Sequence, residues 1–483
     1  MKTIRNSILI FSLLFIAANA GACTIFSAKD KKGQVWAGNN EDWLFTFKSY
    51  ITIVPPTANT FGYFYFTYNH PKLDQQGGTN NAGLFFNFNY IPSANYKQGK
   101  KKEYYPGGTF KLFEHILQQC STVQEVIDLF KKYRLDNLET AQLHIADKYG
   151  NLGIIAGDSM RITQAPFQVS TNYNVFNPIQ NGSEEPCYRM PIAQRIIEKN
   201  EPSFESFTQI CDSTHQYDPE GAGTIYSNIH NLSTGEIWFY YGLDYKKPYK
   251  TTINELLALG DTSISIHDFF KEQELVKALK FCEQGKHQEA LTTINSIQDN
   301  TYRNAILSFL ATGLIETGGM FDAYPVFEAY FNSKEPSIPD IINKSINLYC
   351  IDKKEEALTN LNTYLLIYPD NPELILLKNR LNGQFEKSCN YRLEIQGYEN
   401  AKNIVVDNFW LTKTNGFMTK IGDTWIIELQ MYPGNYYYAF YIDGVRMTLT
   451  DFKLSDFNGI PYNIEKVTWL NYLFSKVKKH NKI

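Results

Sequence analysis

The stretch G21-ACTIFSAKDKKGQVWAGNNED-W43 decides how the first half of this chain is read. Thr24–Ala28 and Gln34–Gly38 are apolar, β-prone runs separated by the charged turn DKKG (30–33), which predicts a β-hairpin. The second strand ends in the polar cluster Asn39-Asn40-Glu41-Asp42-Trp43, which the hairpin returns to the side of Cys23. If Cys23 begins the mature chain, a thiol, a free α-amine and a carboxylate meet in one place: a nucleophile, a base and a group to orient them.

The residues ahead of this stretch read as an export signal. Lys2 and Arg5 form a basic start, Ile8–Ala18 an apolar run, and Ala20-Gly21-Ala22 a small-x-small cleavage site. The apolar run is too short to cross a bilayer, which takes about 20 residues. Residues 1–22 are therefore expected to be a signal peptide, with the protein exported to the periplasm or the extracellular space and no transmembrane segment. The alternative is a lipoprotein in which Cys23 is acylated and serves as an anchor; Ala20 stands where such a signal usually has Leu.

Outward from there, composition sets limits. A chain of 483 residues suggests two to four domains at about 100–200 residues each. The net charge of −4 gives no basis for a nucleic-acid partner, and aromatics at 15% suit a sheet-rich exported protein. Apart from Cys23, the cysteines Cys120, Cys187, Cys211, Cys282, Cys350 and Cys389 show no metal-site spacing, and buried single thiols are expected. No cofactor or metal is called for.

Tyr63–Tyr68 and Leu84–Ile91 read as strands on either side of a turn-rich segment (72–81). Phe110, Phe113, Ile116 and Leu117, then Val123, Val126, Ile127 and Phe130, recur at helical spacing. Ser121 or Thr122, with Gln124 or Glu125 three residues on, caps the second helix. Strands at Gln142–Asp147, Leu152–Ala156 and Phe167–Thr171 follow, then helices at Pro191–Glu198 and Phe204–Ile210. A hairpin of Thr224–His230 and Glu236–Tyr241 closes the set. The order predicts an α+β layered domain.

These residues carry a resemblance. Residues 23–245 resemble the choloylglycine hydrolase family of N-terminal nucleophile (Ntn) hydrolases, which includes bile salt hydrolases, penicillin V acylases and acid ceramidases. In order, the matching pieces are the CT start, the NNED block, NNAGL (80–84) leading to NYIP (89–92), STVQEV (121–126), LHIADKYG (143–150), STN (170–172) and TIYS (224–227). The resemblance implies a four-layer αββα domain over residues 23–262 that cleaves a linear amide of a small N-acyl substrate through an acyl-cysteine intermediate. It makes Cys23 the nucleophile with its own α-amine as base, whose unperturbed pKa is about 7.7–8.0. Asp42 would orient that amine. Asn172, by its side-chain amide, and Asn89, by its backbone N–H, would be the oxyanion donors. Arg189, in CYRM (187–190), matches the family's late arginine and would favour the thiolate. The chain departs from the pattern at Asn39, where the family usually has Arg. The family's oxyanion position is Asn in bile salt hydrolases and Tyr in penicillin acylases, and Asn89-Tyr90 presents both. His144 reads as a satisfied sheet residue, since this chemistry needs no histidine.

Beyond residue 262 the pattern turns helical. GKHQEAL (285–291), GMFDAY (319–324) and DKKEEAL (352–358) align on Ala290, Ala323 and Ala357, 33 and 34 residues apart, the tetratricopeptide period. TPR-like repeats are expected over 263–385, as a spacer or a peptide-binding surface. Residues 386–483 switch to strands such as YRLEI (391–395) and TWIIEL (424–429). With GYENAK (397–402) and YPGNY (432–436) they resemble the glycogen-binding, early-set immunoglobulin-like β-sandwiches. One sugar-stacking tryptophan is replaced here by Arg446, and the fit around Trp410 is poor, so a structural sandwich is expected, with Trp425 in its core. The whole reads as an exported amidohydrolase. The alternatives are a non-catalytic, lipid-anchored surface protein binding a peptide or glycan through its C-terminal segments, and a thioester-forming acyltransferase.

Overall fold

The computed structural model describes residues 23–481 except 45–47, 69–74, 98–100, 136–137, 177–186, 219–221, 317–323, 334, 352, 383–390, 409–415, 417, 430–433, 444, 448–453, 458–459 and 468–475. The expected signal peptide, Ala323, Cys389 and Trp410 lie outside the described residues. The chain divides into two units after Val276.

The first unit is built on two antiparallel sheets. Its strands are β1 (Thr24–Lys29), β2 (Val35–Leu44), β3 (Ser49–Val54), β4 (Tyr63–Tyr68), β5 (Gly77–Asn80), β6 (Leu84–Tyr90), β7 (Glu103–Tyr104) and β8 (Tyr133–Arg134). They continue as β9 (Ala141–Asp147), β10 (Leu152–Ala156), β11 (Ser159–Thr163), β12 (Phe167–Ser170), β13 (Tyr217–Asp218), β14 (Ala222–Asn231), β15 (Glu236–Tyr241), β16 (Tyr249–Thr252) and β17 (Thr262–Ser265). One sheet runs β12-β1-β2-β14-β15-β16, with β13 beside β14; the other runs β11-β10-β9-β6-β5-β4-β3-β17. The predicted hairpin is β1–β2, paired from Thr24↔Asn40 to Lys29↔Val35. Gly38 is required in it, because a Cβ there would stand 2.8 Å from the Asn228 carbonyl oxygen and 2.9 Å from the Phe26 ring.

Helices α1 (Thr109–Gln119) and α2 (Val123–Lys132) lay Leu112, Phe113, Ile116, Val126 and Phe130 on Tyr63, Phe86 and Ile145 of the second sheet. Of the caps offered by the sequence, the structure uses the Thr122/Glu125 capping box. Helices α3 (Arg189–Lys199) and α4 (Phe204–Thr214) pack Met190, Ala193, Phe207 and Ile210 on Phe26, Trp36 and Ile229 of the first sheet. Ile25, Val35 and Ala37 meet Phe85, Ala146 and Leu152 between the sheets. Each sheet is thus apolar on both faces, and the polar side chains trapped inside must find partners there.

Two local readings differ from the sequence. Part of the turn-rich segment 72–81 is the buried strand β5, between β4 and β6. Its glycines make the fit: a Cβ on Gly78 would stand 2.5 Å from the Phe64 carbonyl oxygen. Past residue 262 the chain also stays with this unit, because β17 pairs with β3 and buries Ser265. Its alternation is too short to show against the helical sequence that follows.

The second unit begins within α5 (Glu274–Glu283) and continues as α6 (His287–Asn295), α7 (Asn300–Glu316), α8 (Tyr324–Asn332), α9 (Ile338–Cys350), α10 (Lys354–Ile367) and α11 (Pro372–Leu381). Ala290 and Ala357, two of the three repeat-aligned alanines, are fully buried. Tyr391–Gln396 then pairs antiparallel with Thr424–Leu429 in one sheet, and Ile404–Asn408 with Gly434–Ile442 in another. Leu393, Ile427, Val406 and Phe440 share a core with Trp425, which is buried and donates its indole N–H to the Tyr398 carbonyl at 3.0 Å. Among the described residues no helix is long and apolar enough to cross a membrane.

Candidate active site

A strand sends successive side chains to opposite faces, and β2 does this with its polar cluster. Asn40 and Asp42 point to the helices: Asn40 donates to the Cys211 carbonyl and the Thr214 hydroxyl of α4, and Asp42 pairs with Arg189 at the start of α3. Asn39 and Glu41 point to the second sheet, on the face that carries Val35 and Ala37. Thr24, the first residue of β1, goes with the first set, and Cys23, just ahead of it, with the second.

Cys23 is buried, and its thiol donates to Glu41 Oε1 at 3.3 Å. Burial pushes the thiol well up from its ordinary value. The nearby Glu41 and Asp42 carboxylates add to this, against the Asp42 backbone N–H that supports the sulfur. The thiol is therefore protonated at rest, and any reaction through the sulfur would need a base to take its proton. Asn89 donates its side-chain amide to the Cys23 carbonyl at 2.9 Å.

On the other face, Arg189 is fully buried. It donates to Thr24 Oγ1 at 3.0 Å, to Asp42 Oδ2 at 3.1 Å and to Asn172 Oδ1 at 2.8 Å. The Gln216 side-chain oxygen completes its shell, 2.8 Å from Nε. Asn172 in turn donates to the Tyr90 carbonyl at 2.8 Å. Burial raises the Asp42 carboxyl to about 7, against the pull of Arg189 and of the Thr224 hydroxyl. The folded state thus binds a proton that the unfolded chain, at about 3.9, has lost. The resulting stability is complete below about pH 4 and disappears as pH rises through about 7. Asp42→Asn should flatten that decline, checked by chemical denaturation across the same range.

The five residues singled out by the sequence, Cys23, Asp42, Asn89, Asn172 and Arg189, are thus linked through Thr24, Tyr90 and the Cys23 backbone. Two of the expected roles meet different geometry. Arg189 spends its hydrogen bonds on Asp42, Thr24, Asn172 and Gln216, across the sheet from the sulfur, so it neutralises Asp42. Asn89 lies opposite Gln142, and two ladder bonds on the same strand pair, Ile91 N–H to Thr140 and Lys148 N–H to Gly83, fix the alternation. That alternation turns the Asn89 N–H into the β9 ladder and the Tyr90 N–H to the other side.

The sequence reading missed Glu41, Tyr68, Asn87, Tyr226, Thr224 and Gln216. Glu41 stood in plain view, as a carboxylate on a strand face begun by Val35 and Ala37. The others lie too far along the chain for any local signal. A β-bulge at Ile225 arranges two of them. Without it Thr224 and Tyr226 would share a face; with it, Thr224 reaches Asp42 and Tyr226 reaches Glu41.

Three buried polar atoms, Asn89 Oδ1, Gln142 Nε2 and Thr171 Oγ1, have no hydrogen-bond partner among the described residues. Asn89 and Gln142 are cross-strand partners, and Thr171 follows Ser170, the partner of Ile25. Asn89 and Gln142 therefore lie on the sheet face that meets Cys23, where a bound polar group or water would satisfy them, whereas Thr171, one residue past Ser170, falls on the Thr24 side. His144 is held between Ser27 and Ser170 at 2.9 Å each, burial lowering it to about 3, so it stays neutral. Among the described residues no cluster of His, Cys, Asp or Glu could hold a metal ion.

No family model and no curated protein matches the chain. Among solved structures, it is similar to penicillin V acylase from Agrobacterium tumefaciens, at 16% identity over 50% of this chain and 90% of that one, with a TM-score of 0.38. It is also similar to two forms of conjugated bile acid hydrolase from Clostridium perfringens. One, a mutant, has 13% identity over 50% of this chain and 96% of that one, with a TM-score of 0.37. The other, a variant, has 16% identity over 50% of this chain and 96% of that one, with a TM-score of 0.36.

Proposed function

We propose that the first unit is an N-terminal-cysteine amidohydrolase with the four-layer αββα arrangement of Ntn hydrolases, cleaving a linear amide of a small N-acyl substrate. The observation that carries this reading is the Cys23 thiol, held against a buried carboxylate on the face that also carries Asn89 Oδ1 and Gln142 Nε2, two buried polar atoms without a partner among the described residues. A packed core has no use for such a set, whereas an acyl-transfer site needs a nucleophile, a proton acceptor and polar groups waiting for a carbonyl. Cys23 attacks the acyl carbon, the amine leaves, and water resolves the thioester. Asn172 and, in place of the Asn89 N–H held in the β9 ladder, the Tyr90 backbone N–H stabilise the oxyanion; losing one such donor typically costs about 2.7–4 kcal/mol of barrier. Export after a signal peptide of residues 1–22, TPR-like repeats in the helical part of 263–385 that follows β17, and a β-sandwich over 386–483 belong to the same reading. The latter two segments would serve as spacer or as peptide or carbohydrate contact.

The reading requires a free α-amine at Cys23. A form with residues retained ahead of Cys23 has an amide there, which cannot exchange protons. It should lose amide hydrolysis and regain it when trimmed to Cys23, assayed as amine release from N-acyl amino acids and conjugated bile acids. Equal rates before and after trimming would remove the terminal amine from the mechanism.

A further inference from the structure

Glu41 is only 2% exposed and takes five hydrogen bonds from the described residues. Its two oxygens are not equivalent. Oε2 accepts from Asn39 Nδ2 at 2.9 Å, from Asn87 Nδ2 at 3.4 Å and from the Tyr226 hydroxyl at 3.4 Å. Oε1 accepts from the Tyr68 hydroxyl and the Cys23 thiol.

The Asn39 amide is locked from behind. Its oxygen accepts from Asn228 Nδ2, and the Asn228 oxygen stands 2.8 Å from His230 Nε2, which must carry a hydrogen to meet it. An amide nitrogen can only donate, so Asn39 and Asn87 hold Oε2 as an acceptor with no room for a proton. Oε1 is therefore the atom at which Glu41 can be protonated, and it is the atom on the sulfur. All five partners are neutral, while Arg189 serves Asp42 across the sheet. An apolar residue continuing the face of Val35 and Ala37 would fill this position at far lower cost than a desolvated carboxylate.

We propose that Glu41 is a catalytic residue, the proton acceptor of the Cys23 thiol, with the α-amine left to serve the departing amine. This rests on the hydrolase reading above. The S–H bond breaks and its proton goes to Glu41 Oε1. Sulfur bonds the acyl carbon, and the carbonyl π pair moves to oxygen. Collapse of the oxyanion breaks the C–N bond, and the nitrogen takes a proton from the Cys23 α-ammonium. Water then attacks the thioester and gives its proton to the α-amine; the C–S bond breaks and sulfur recovers the proton from Glu41. Amide and water have become acid and amine, and the protein is unchanged. The groups able to tune the pair are the Cys23 α-amine just ahead of β1, Tyr68 from β4, Tyr226 from β14 and Asp42 on the same strand as Glu41. Behind them stand Arg189 on Asp42 and His230 at the end of the amide chain.

The test uses full-length protein trimmed to Cys23. Iodoacetamide labelling of Cys23, read from the mass of its peptide, is followed from about pH 5 to about pH 10. A thiol and a carboxyl sharing one proton give a two-step profile with a plateau at neutral pH, while a lone thiol gives one step rising about tenfold per pH unit. Wild type should show the plateau and Glu41→Gln the single step. The variant's kcat should fall about 10²–10⁴-fold with little change in KM. A form extended ahead of Cys23 keeps the carboxylate and should keep the plateau. Superimposable profiles for wild type and Glu41→Gln overturn the proposal, as does loss of the plateau on extension. Should Glu41→Gln not fold, Tyr68→Phe removes one donor from Oε1 and should move the acid end of the plateau to higher pH; an unmoved profile overturns it. The labelling needs no substrate, so a plateau without amide hydrolysis would defeat the hydrolase reading and leave the proton-sharing pair standing. Wild-type hydrolysis by Glu41→Gln would do the reverse.

Discussion

Cys23→Ser is expected to abolish amide hydrolysis, lowering kcat by a factor on the order of 10⁴ or more, as loss of a nucleophile does in enzymes of this chemistry. The reason lies in the resting state. Cys23 is a protonated, buried thiol whose pKa is already raised by burial and by two neighbouring carboxylates. A serine hydroxyl is far less acidic still, so Glu41 and the α-amine, set up for a thiol, should activate it poorly. The fold should survive, because a hydroxyl occupies less space than a thiol and can keep the hydrogen bond to Glu41 Oε1. Unchanged circular dichroism and denaturation midpoint, with no amine released from N-acyl substrates, is the expected pair of results. Full activity in the serine variant would remove Cys23 from the chemistry.

Arg189→Met is the second large effect, and it falls on stability. Arg189 is 1% exposed and is the cation paired with Asp42, which is itself buried. Removing it leaves Asp42 buried beside Glu41 without a counter-charge and strips hydrogen bonds from Thr24, Asn172 and Gln216. Breaking a buried pair from one side typically costs about 3–5 kcal/mol. The part of that due to the orphaned carboxylate is present only above about pH 7, where Asp42 is ionised, so Asp42→Asn in the same chain should restore it there and do little at lower pH. Denaturation of the two single variants and the double variant measures the coupling. An Arg189→Met protein within about 0.5 kcal/mol of wild type would show that Asp42 is already neutral in the native state at the pH of the measurement.

Much of the first unit was legible because its elements obey short-range rules. The β1–β2 hairpin follows from alternation around DKKG, α2 from its capping box, and β14–β15 from two apolar runs around Ser233-Thr234-Gly235. β5 was not, because Gly77-Gly78-Thr79-Asn80 has turn composition; only its neighbours β4 and β6 show that bare backbone is what fits between them. β17 was hidden in the same way by the helical sequence after it.

What the sequence determined by itself about the site is the neighbourhood: a hairpin of this register must bring the NNED cluster to Cys23, since strand pairing and turn length are settled within some twenty residues. What only the tertiary structure decided is the division of labour inside that cluster. Period-two geometry guarantees that Glu41 and Asp42 point opposite ways, yet which of them meets the thiol depends on which face turns to the second sheet. That choice is made by packing, with Val35 and Ala37 against Phe85 and Leu152 on one side and Trp36 against Phe207 on the other. The groups that complete each carboxylate arrive from far along the chain: Tyr68, Asn87 and Tyr226 for Glu41, Arg189 and Thr224 for Asp42. Side chains that meet only across sheets leave no spacing to read, because the constraint joining them acts through the folded core.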